Sequence, residues 1–170
     1  MNTLKKNLVL TGMMGSGKTT IGKSLSQRLN MGFADIDDII EKKNSLTISE
    51  IFERKSEKAF RLEEEEESIK NLKKTNTVIA LGGGAFINKN IRDEVKKSSI
   101  SIWLDLDVEM LYKRIKVNKK RPLLKNASKE ELQRIFIERE KIYSKADFRI
   151  ECNFKNKDQI ITEITQIYEN

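Results

Sequence analysis

A glycine-rich segment near the amino terminus has the spacing of a phosphate-binding loop. Residues 12–19 read Gly-Met-Met-Gly-Ser-Gly-Lys-Thr and fit the pattern G-x-x-x-x-G-K-[ST]. The glycines allow backbone amides to turn towards phosphate oxygens, and the helix that follows adds the positive end of its dipole. In such a loop Lys18 reaches the β- and γ-phosphates and the Thr19 hydroxyl binds Mg²⁺. We therefore expect a nucleoside triphosphate site.

The composition limits the chemistry available around this loop. The 170 residues include no histidine and one cysteine, Cys152, which excludes histidine triads, cysteine-rich zinc sites and an intrachain disulfide. The guanine-reading motifs of GTPases and the G-x-G-x-x-G dinucleotide fingerprint do not occur. Motor ATPases usually need a longer chain. The class that remains favoured is a compact small-molecule kinase.

Two aspartates lie at the end of the predicted second strand. Asp35 and Asp37 are two positions apart, which places both side chains on one face of a strand. One carboxylate is then available to Mg²⁺ and the other to an acceptor hydroxyl. Acidic residues here also suit the start of a helix, and the spacing does not decide between the two. Many phosphate-loop proteins place a magnesium-binding aspartate where this chain has Ala80, which favours Asp35 for the metal.

Three further features are candidates for the acceptor side. The glycines Gly82–Gly84 end a buried strand and allow close approach of a ligand to the backbone. Arg61 and Arg139 come from distant helices, and their spacing alone favours surface positions. The basic segment 118–124 has the composition of a flap that closes over the γ-phosphate, with a solvated loop as the alternative. Most of the glutamates Glu63–Glu67 are interpreted as solvated surface, and only the one on the buried side is expected to matter.

The elements that must position these residues alternate between strand and helix, which predicts a single α/β domain over residues 1–170, a three-layer α/β/α fold with a five-stranded parallel sheet. The predicted strands are Asn7–Thr11, Phe33–Ile36, Thr77–Leu81, Ile100–Asp105 and Phe148–Cys152. The predicted helices are Thr19–Leu29, Asp37–Lys43, Glu57–Lys74, Asn88–Lys97, Val108–Val117 and Asp158–Tyr168, and capping boxes at Thr47/Glu50 and Ser128/Glu131 begin two more.

The net charge of +7 comes from 33 basic and 26 acidic residues that are mixed along the chain. We interpret them as a solvated surface and expect no nucleic-acid partner. No run of 18 apolar residues predicts a membrane span, and no secretory signal is recognised. The expected protein is a cytoplasmic monomer.

Taken in order, these segments resemble the shikimate kinase family over about residues 6–168. The phosphate loop is widely shared, whereas the ordered series Asp35-Ile36-Asp37, Phe60-Arg61, Gly82-Gly83-Gly84, Arg121-Pro122-Leu123-Leu124 and Arg139 to Tyr143 is far more specific. The resemblance implies a fold like that of nucleoside monophosphate kinases, with a substrate-binding helical region near residues 35–62 and a lid near 116–125. It also implies transfer of the ATP γ-phosphate to the 3-hydroxyl of shikimate.

The resemblance assigns a role to each matching residue. Asp35 and Thr19 would hold Mg²⁺, Asp37 would bind the acceptor hydroxyl and take its proton, and Lys18 and Arg121 would act on the phosphates. Arg61 and Arg139 would bind the shikimate carboxylate beside Gly82, Gly83 and Gly84. The implied ATP site comprises Gly12, Met14, Gly15, Ser16, Gly17, Lys18, Thr19, Thr20, Arg114, which would lie against the adenine, and Arg121.

Two alternatives remain open at this point. A related sugar-acid kinase of the gluconate type shares the loop and a carboxylate-bearing acceptor. The non-enzyme alternative is a phosphate-loop protein that binds nucleotide and acts as a regulator. The combination of Asp-x-Asp, Gly-Gly-Gly and Arg-Pro-Leu-Leu favours shikimate.

Overall fold

The computed structural model describes residues 6–117 and 126–170. The strands are β1 Asn7–Thr11, β2 Gly32–Asp35, β3 Thr77–Ala80, β4 Ser99–Asp105 and β5 Phe148–Glu151. The α-helices in the described ranges are α1 Lys18–Leu29, α2 Ile36–Asn44, α3 Ile48–Arg54, α4 Glu57–Leu72, α5 Lys89–Ser98, α6 Val108–Val117, α7 Lys129–Tyr143 and α8 Lys157–Glu169. A 3₁₀ turn, Ala85–Ile87, follows β3.

The five strands form one parallel sheet in the order β2-β3-β1-β4-β5, which confirms the predicted α/β fold. All five residues of β1 are buried, as expected for a central strand of a sheet covered on both faces. Helix α1 packs on β2 and β3 and against α8, while α5 packs on β4 and against α4. Because the strands are parallel, the segments that follow β1, β2 and β3 meet at one edge of the sheet.

Local signals account for most helix boundaries. Thr47 and Ser128 each accept a hydrogen bond from the backbone amide three residues on, and the glutamate there returns one, so both predicted capping boxes are confirmed. Helix α2 begins at Ile36 and not at Asp37, because the side chain of Asp35 accepts from the Asp38 amide and starts the helix. The prediction that β2 extends to Ile36 is therefore wrong.

The predicted lid and the absence of a membrane span complete the comparison with the sequence. Most of the predicted lid, residues 118–125, lies outside the described residues, as does Arg121. None of the helices in the described part of the chain is long and apolar enough to span a membrane.

Candidate active site

The phosphate loop connects β1 to α1 through backbone conformations that glycine favours. Gly12, Gly15 and Gly17 have φ angles of +139°, +82° and +101°. A side chain on Gly12 would also place its Cβ 2.6 Å from the carbonyl oxygen of Leu104 in β4. The loop therefore lies directly on the end of β4, and a larger residue at position 12 would have to displace backbone.

Lys18, the first residue of α1, is held inside the loop. Its Nζ donates to the carbonyl oxygens of Gly12 and Met13, both at 2.8 Å, and the residue is 9% exposed. Arg114 of α6 lies against the same loop, since its Nη1 donates to the carbonyls of Gly15 at 3.3 Å and Ser16 at 3.4 Å. Two cations from different elements thus lie against the glycine-rich loop.

Thr19 and Asp35 form a direct contact between α1 and the end of β2. The Thr19 hydroxyl donates to Oδ2 of Asp35 at 2.5 Å, while Oδ1 of the same carboxylate caps α2. In the sheet register Asp35 is paired with Ala80 of β3. A carboxylate from the neighbouring strand therefore lies beside Ala80, which has none.

Asp35 and Asp37 line one cavity, although they do not lie on one strand as their spacing suggested. Asp35 ends β2, whereas Asp37 is the second residue of α2, so the expectation that both lie on one face of a strand is wrong. They nevertheless line a common cavity of about 310 Å³. Its other lining residues are Met14, Gly15, Gly17, Lys18, Thr19, Thr20, Ala80, Leu81 and Arg114.

Gly12 and Ser16, also predicted for the nucleotide site, belong to the same loop but do not line this cavity. Ser16 is buried, and its hydroxyl has no hydrogen-bond partner within the described residues. An ideal Cβ on Gly12 would lie 3.2 Å from that hydroxyl. The loop is therefore tightly packed on its inner side.

The turn after β3 brings the predicted acceptor residues together. A Cβ on Gly82 would lie 2.7 Å from Oδ1 of Asp37, and a Cβ on Gly84 would lie 2.5 Å from Nη1 of Arg61. The carbonyl of Gly83 accepts from Nη1 of Arg139 at 3.1 Å. Side chains from α2, α4 and α7 thus converge on three consecutive glycines, and a larger residue at Gly82 or Gly84 would push the ends of these side chains away.

Glu64 is a site residue that the sequence reasoning did not single out. It is 2% exposed, and its Oε2 accepts from Nη1 of Arg61 at 2.7 Å. Its Oε1 would lie 2.6 Å from a Cβ on Gly82. Burial raises the pKa of the Glu64 carboxyl, and the positive charge of Arg61 opposes that shift.

The expectation that Glu63–Glu67 has only one member on the buried side is wrong. Both Glu64 and Glu67 are buried, at 2% and 5% exposure. Glu67 accepts a hydrogen bond from Lys43 of α2 at 3.1 Å. A run of one residue type covers every face of a helix, so only the partner cations distinguish these two positions: Arg61, three residues before Glu64 on α4, and Lys43 of α2 for Glu67.

The chain is similar to known proteins over most of its length. A sequence profile of the family described as shikimate kinase matches residues 14–169. This chain belongs to the shikimate kinase family. It is 40% identical over 159 residues to a shikimate kinase of Sulfurihydrogenibium sp. (strain YO3AOP1), covering 94% of this chain and 95% of that protein.

Solved structures of the family have the same fold. A shikimate kinase from Acinetobacter baumannii in complex with shikimate matches with a TM-score of 0.90 and 33% identity, over 97% of this chain and 93% of that one. A gluconokinase from Sinorhizobium meliloti 1021 matches with a TM-score of 0.63 and 13% identity, over 98% and 95% of the two chains. The second likeness shows a common fold alone, and the gluconate-type alternative is not favoured.

Proposed function

We propose that this chain transfers the γ-phosphate of ATP to the 3-hydroxyl of shikimate. The observation that carries the proposal is the convergence of the phosphate loop, Arg61 and Arg139 on residues 82–84, which we call the glycine turn. A Cβ on Gly83 would lie 3.2 Å from the Met14 amide of the phosphate loop, while the Gly83 carbonyl binds Arg139 and Gly84 lies against Arg61. A phosphate donor and a carboxylate-bearing acceptor can therefore bind side by side.

Arg61 and Arg139 are proposed to bind the carboxylate of the acceptor. A guanidinium presents two parallel N–H donors that match the two oxygens of a carboxylate, whereas an ammonium acts as a point charge. Glu64 bonds to Arg61 from the buried side and restricts the orientation of that guanidinium. The pair is therefore oriented before the acceptor arrives, which lowers the entropic cost of binding.

Asp37 is proposed to orient the acceptor hydroxyl and to accept its proton. It lies at the boundary between the two halves of the site, since it lines the cavity that contains Lys18 and approaches Gly82 closely. Phosphoryl transfer passes through a loose transition state, so the hydroxyl loses its proton late and the carboxylate acts mainly by positioning.

Lys18 and the loop amides are proposed to stabilise the charge on the phosphate oxygens. The ammonium already points into the loop, where it bonds to the carbonyls of Gly12 and Met13. Arg114 is proposed to lie against the adenine, beside its contacts with the loop. Arg121, outside the described residues, is proposed to reach the phosphates from the lid, and both assignments rest on the family resemblance.

Thr19 and Asp35 are proposed to hold Mg²⁺. A hydroxyl and a carboxylate oxygen 2.5 Å apart are hard donors of the kind this ion prefers. Within the described residues there is no cluster of three or more acidic or cysteine side chains that would hold a metal by itself. This fits an ion that takes its remaining ligands from phosphate and water, and when bound it neutralises charge on the phosphate oxygens.

An assay of ADP release with ATP, Mg²⁺ and three separate acceptors tests the activity. Shikimate, quinate and gluconate each carry a carboxylate and hydroxyls but differ in carbon skeleton, which is an unsaturated ring, a saturated ring and an open chain respectively. We expect ADP release that depends on shikimate and is slow with the other two. Faster turnover with gluconate would favour the sugar-acid kinase, and release with no acceptor would favour a nucleotide-binding regulator.

The remaining proposals concern the protein as a whole. We propose one domain in which residues 35–62 bind the acceptor and residues 116–125 form the lid, acting as a monomer in the cytoplasm without a nucleic-acid partner. Sedimentation velocity tests the monomer. A gel-shift titration with DNA and RNA at low salt tests the last point, because the net charge of +7 would bind nucleic acid most strongly there.

A further inference from the structure

Tyr143, the last residue of α7, has a buried hydroxyl that points at the three glycines after β3. The side chain is fully buried, and its ring packs against Trp103 of β4 with 6.1 Å between ring centroids. The hydroxyl donates to the carbonyl oxygen of Gly83 at 2.5 Å. Burial raises the pKa of Tyr143, so the hydroxyl remains protonated and remains a donor.

The Gly83 carbonyl accepts from two residues of one helix. Arg139 and Tyr143 are four positions apart on α7 and so lie on the same helix face. The Arg139 Nη1 donates to this oxygen at 3.1 Å, beside the phenol. A carbonyl oxygen has two lone pairs, and here each is available to one of the two donors.

Fixing this carbonyl also fixes the peptide that follows it. The peptide bond between Gly83 and Gly84 is planar and trans, so the Gly83 carbonyl and the Gly84 amide point in opposite directions. Glycine has no side chain of its own to restrict rotation of that peptide. Gly84 in turn lies against Arg61. The peptide held by Tyr143 therefore lies between the two guanidiniums proposed to bind the acceptor carboxylate.

We propose that Tyr143 is a positioning residue of the acceptor site, whose hydroxyl fixes the Gly83 carbonyl and through it the guanidinium of Arg139. This inference rests on the proposed function, because it takes Arg139 as a ligand of the acceptor. A purely structural role is the competing explanation, since the ring is part of the core. Replacement by phenylalanine separates the two, because the ring and its packing stay and only the O–H is lost.

The chain contains a matched control for that replacement. Tyr168 of α8 also donates its hydroxyl to a backbone carbonyl, that of Lys6, at 2.5 Å. This contact lies at the start of β1, at the opposite end of the strand from the phosphate loop. Tyr168→Phe removes the same type of hydrogen bond without touching the site, and both variants are compared for melting temperature and steady-state kinetics.

For Tyr143→Phe we expect KM for shikimate to rise about 10-fold, the loss typical of one buried hydrogen bond, with kcat and KM for ATP changed less than about 2-fold. Tyr168→Phe should leave all three unchanged. In an Arg139→Ala background, Tyr143→Phe should add less than about 2-fold, because the two residues act through one carbonyl.

Three results would overturn the inference. Tyr143→Phe could match Tyr168→Phe, could raise KM for ATP as much as KM for shikimate, or could keep its full effect in the Arg139→Ala background. Failure of the proposed function is detected separately, in the ADP-release assay of the wild-type protein with the three acceptors. If that chain instead uses quinate or gluconate, only the shikimate assignment falls, and the same comparison is made with that acceptor. If it uses none of the three, both proposals fall.

Discussion

The carboxyl of Glu64 lies among three charged side chains, those of Arg61, Asp37 and Arg139. Burial disfavours its ionised form, while Arg61, bonded at 2.7 Å, favours it. The net result is a pKa above the ordinary value of 4.5. Since the group is almost inaccessible to solvent, its ionisation is coupled to the stability of the fold.

We expect Glu64→Gln to change the pH dependence of stability. Below pH 4.5 the carboxyl is protonated in both the folded and the unfolded chain, and glutamine resembles it. As the pH rises, the unfolded chain ionises first, so the wild type loses free energy of unfolding relative to Glu64→Gln until the folded carboxyl ionises too. Urea titrations of both proteins from below pH 4.5 to neutrality measure the difference. A difference that is constant with pH would contradict the raised pKa.

Arg61 and Arg139 should not tolerate lysine if they bind a carboxylate. Arg→Ala at either position should cost about 2–5 kcal/mol in kcat/KM for shikimate, and Arg→Lys an amount at or below the low end of that range. KM for ATP should change little. Arg28→Lys is the matched control, since Arg28 lies on α1 and, among the described residues, donates to Thr162 of α8, away from the site. Equal effects at all three positions would refute the carboxylate site.

Arg92 lies on α5, a helix that carries no predicted site residue, but it is not a suitable control for Arg61 and Arg139. Its Nη1 donates to the carbonyls of Phe86 at 2.7 Å and Ile87 at 2.6 Å, in the 3₁₀ turn directly after the three glycines. Nothing in the spacing of the sequence indicates this contact, because it depends on how α5 folds back over the turn.

At the scale of elements, the phosphate loop was predictable because its function depends on local backbone geometry. Three glycines with positive φ, an apolar strand before them and a helix after them are all encoded within residues 7–29. The end of β2 was less predictable. The side chain of Asp35 starts a helix there, and the two-residue spacing was consistent with both a strand and a helix start.

The structure predicts distinct effects for the two aspartates near that boundary. Asp35→Asn retains an oxygen that can cap α2 but loses the charge beside Thr19, so we expect a raised Mg²⁺ requirement in a fold of near-normal stability. Asp37→Asn should lower kcat by about 100-fold or more, with an unchanged Mg²⁺ profile. Magnesium titrations of activity compare them, and superimposable profiles would contradict this division of roles.

At the scale of the whole molecule, the acceptor site was the least predictable part. Arg61 is on α4 and Arg139 on α7, 78 positions later, and they approach one turn only because α4 and α7 both pack against the 3₁₀ segment that follows it. Spacing carries no information on such a contact, and it favoured surface positions for both residues. The resemblance to the shikimate kinase family supplied the assignment, because the family motif preserves residues that packing brings together.

The single thiol should report on opening of the whole fold. Cys152 is 3% exposed, and burial raises its pKa to about 12 from an ordinary value of 9.0. Near neutral pH the reactive thiolate is therefore roughly three orders of magnitude less populated than that of a cysteine with the ordinary pKa. The sulfur is also shielded from reagents by burial. We expect a chromogenic disulfide reagent to label the folded chain slowly and the urea-unfolded chain at once. Rapid labelling of the folded chain would show that the edge of the sheet near β5 opens locally.

The only tryptophan of the chain lies beneath both halves of the site. Trp103 pairs with Thr11, the residue before the phosphate loop, and its ring contacts Tyr143, which bonds to the glycine turn. The guanidinium of Arg149 lies over the same ring, 5.0 Å from its centroid. The indole is thus a built-in optical probe: its emission should be that of an apolar environment, and its intensity should change when acceptor is added without ATP. Tyr143→Phe should weaken that signal, so binding can be followed by fluorescence with no label attached.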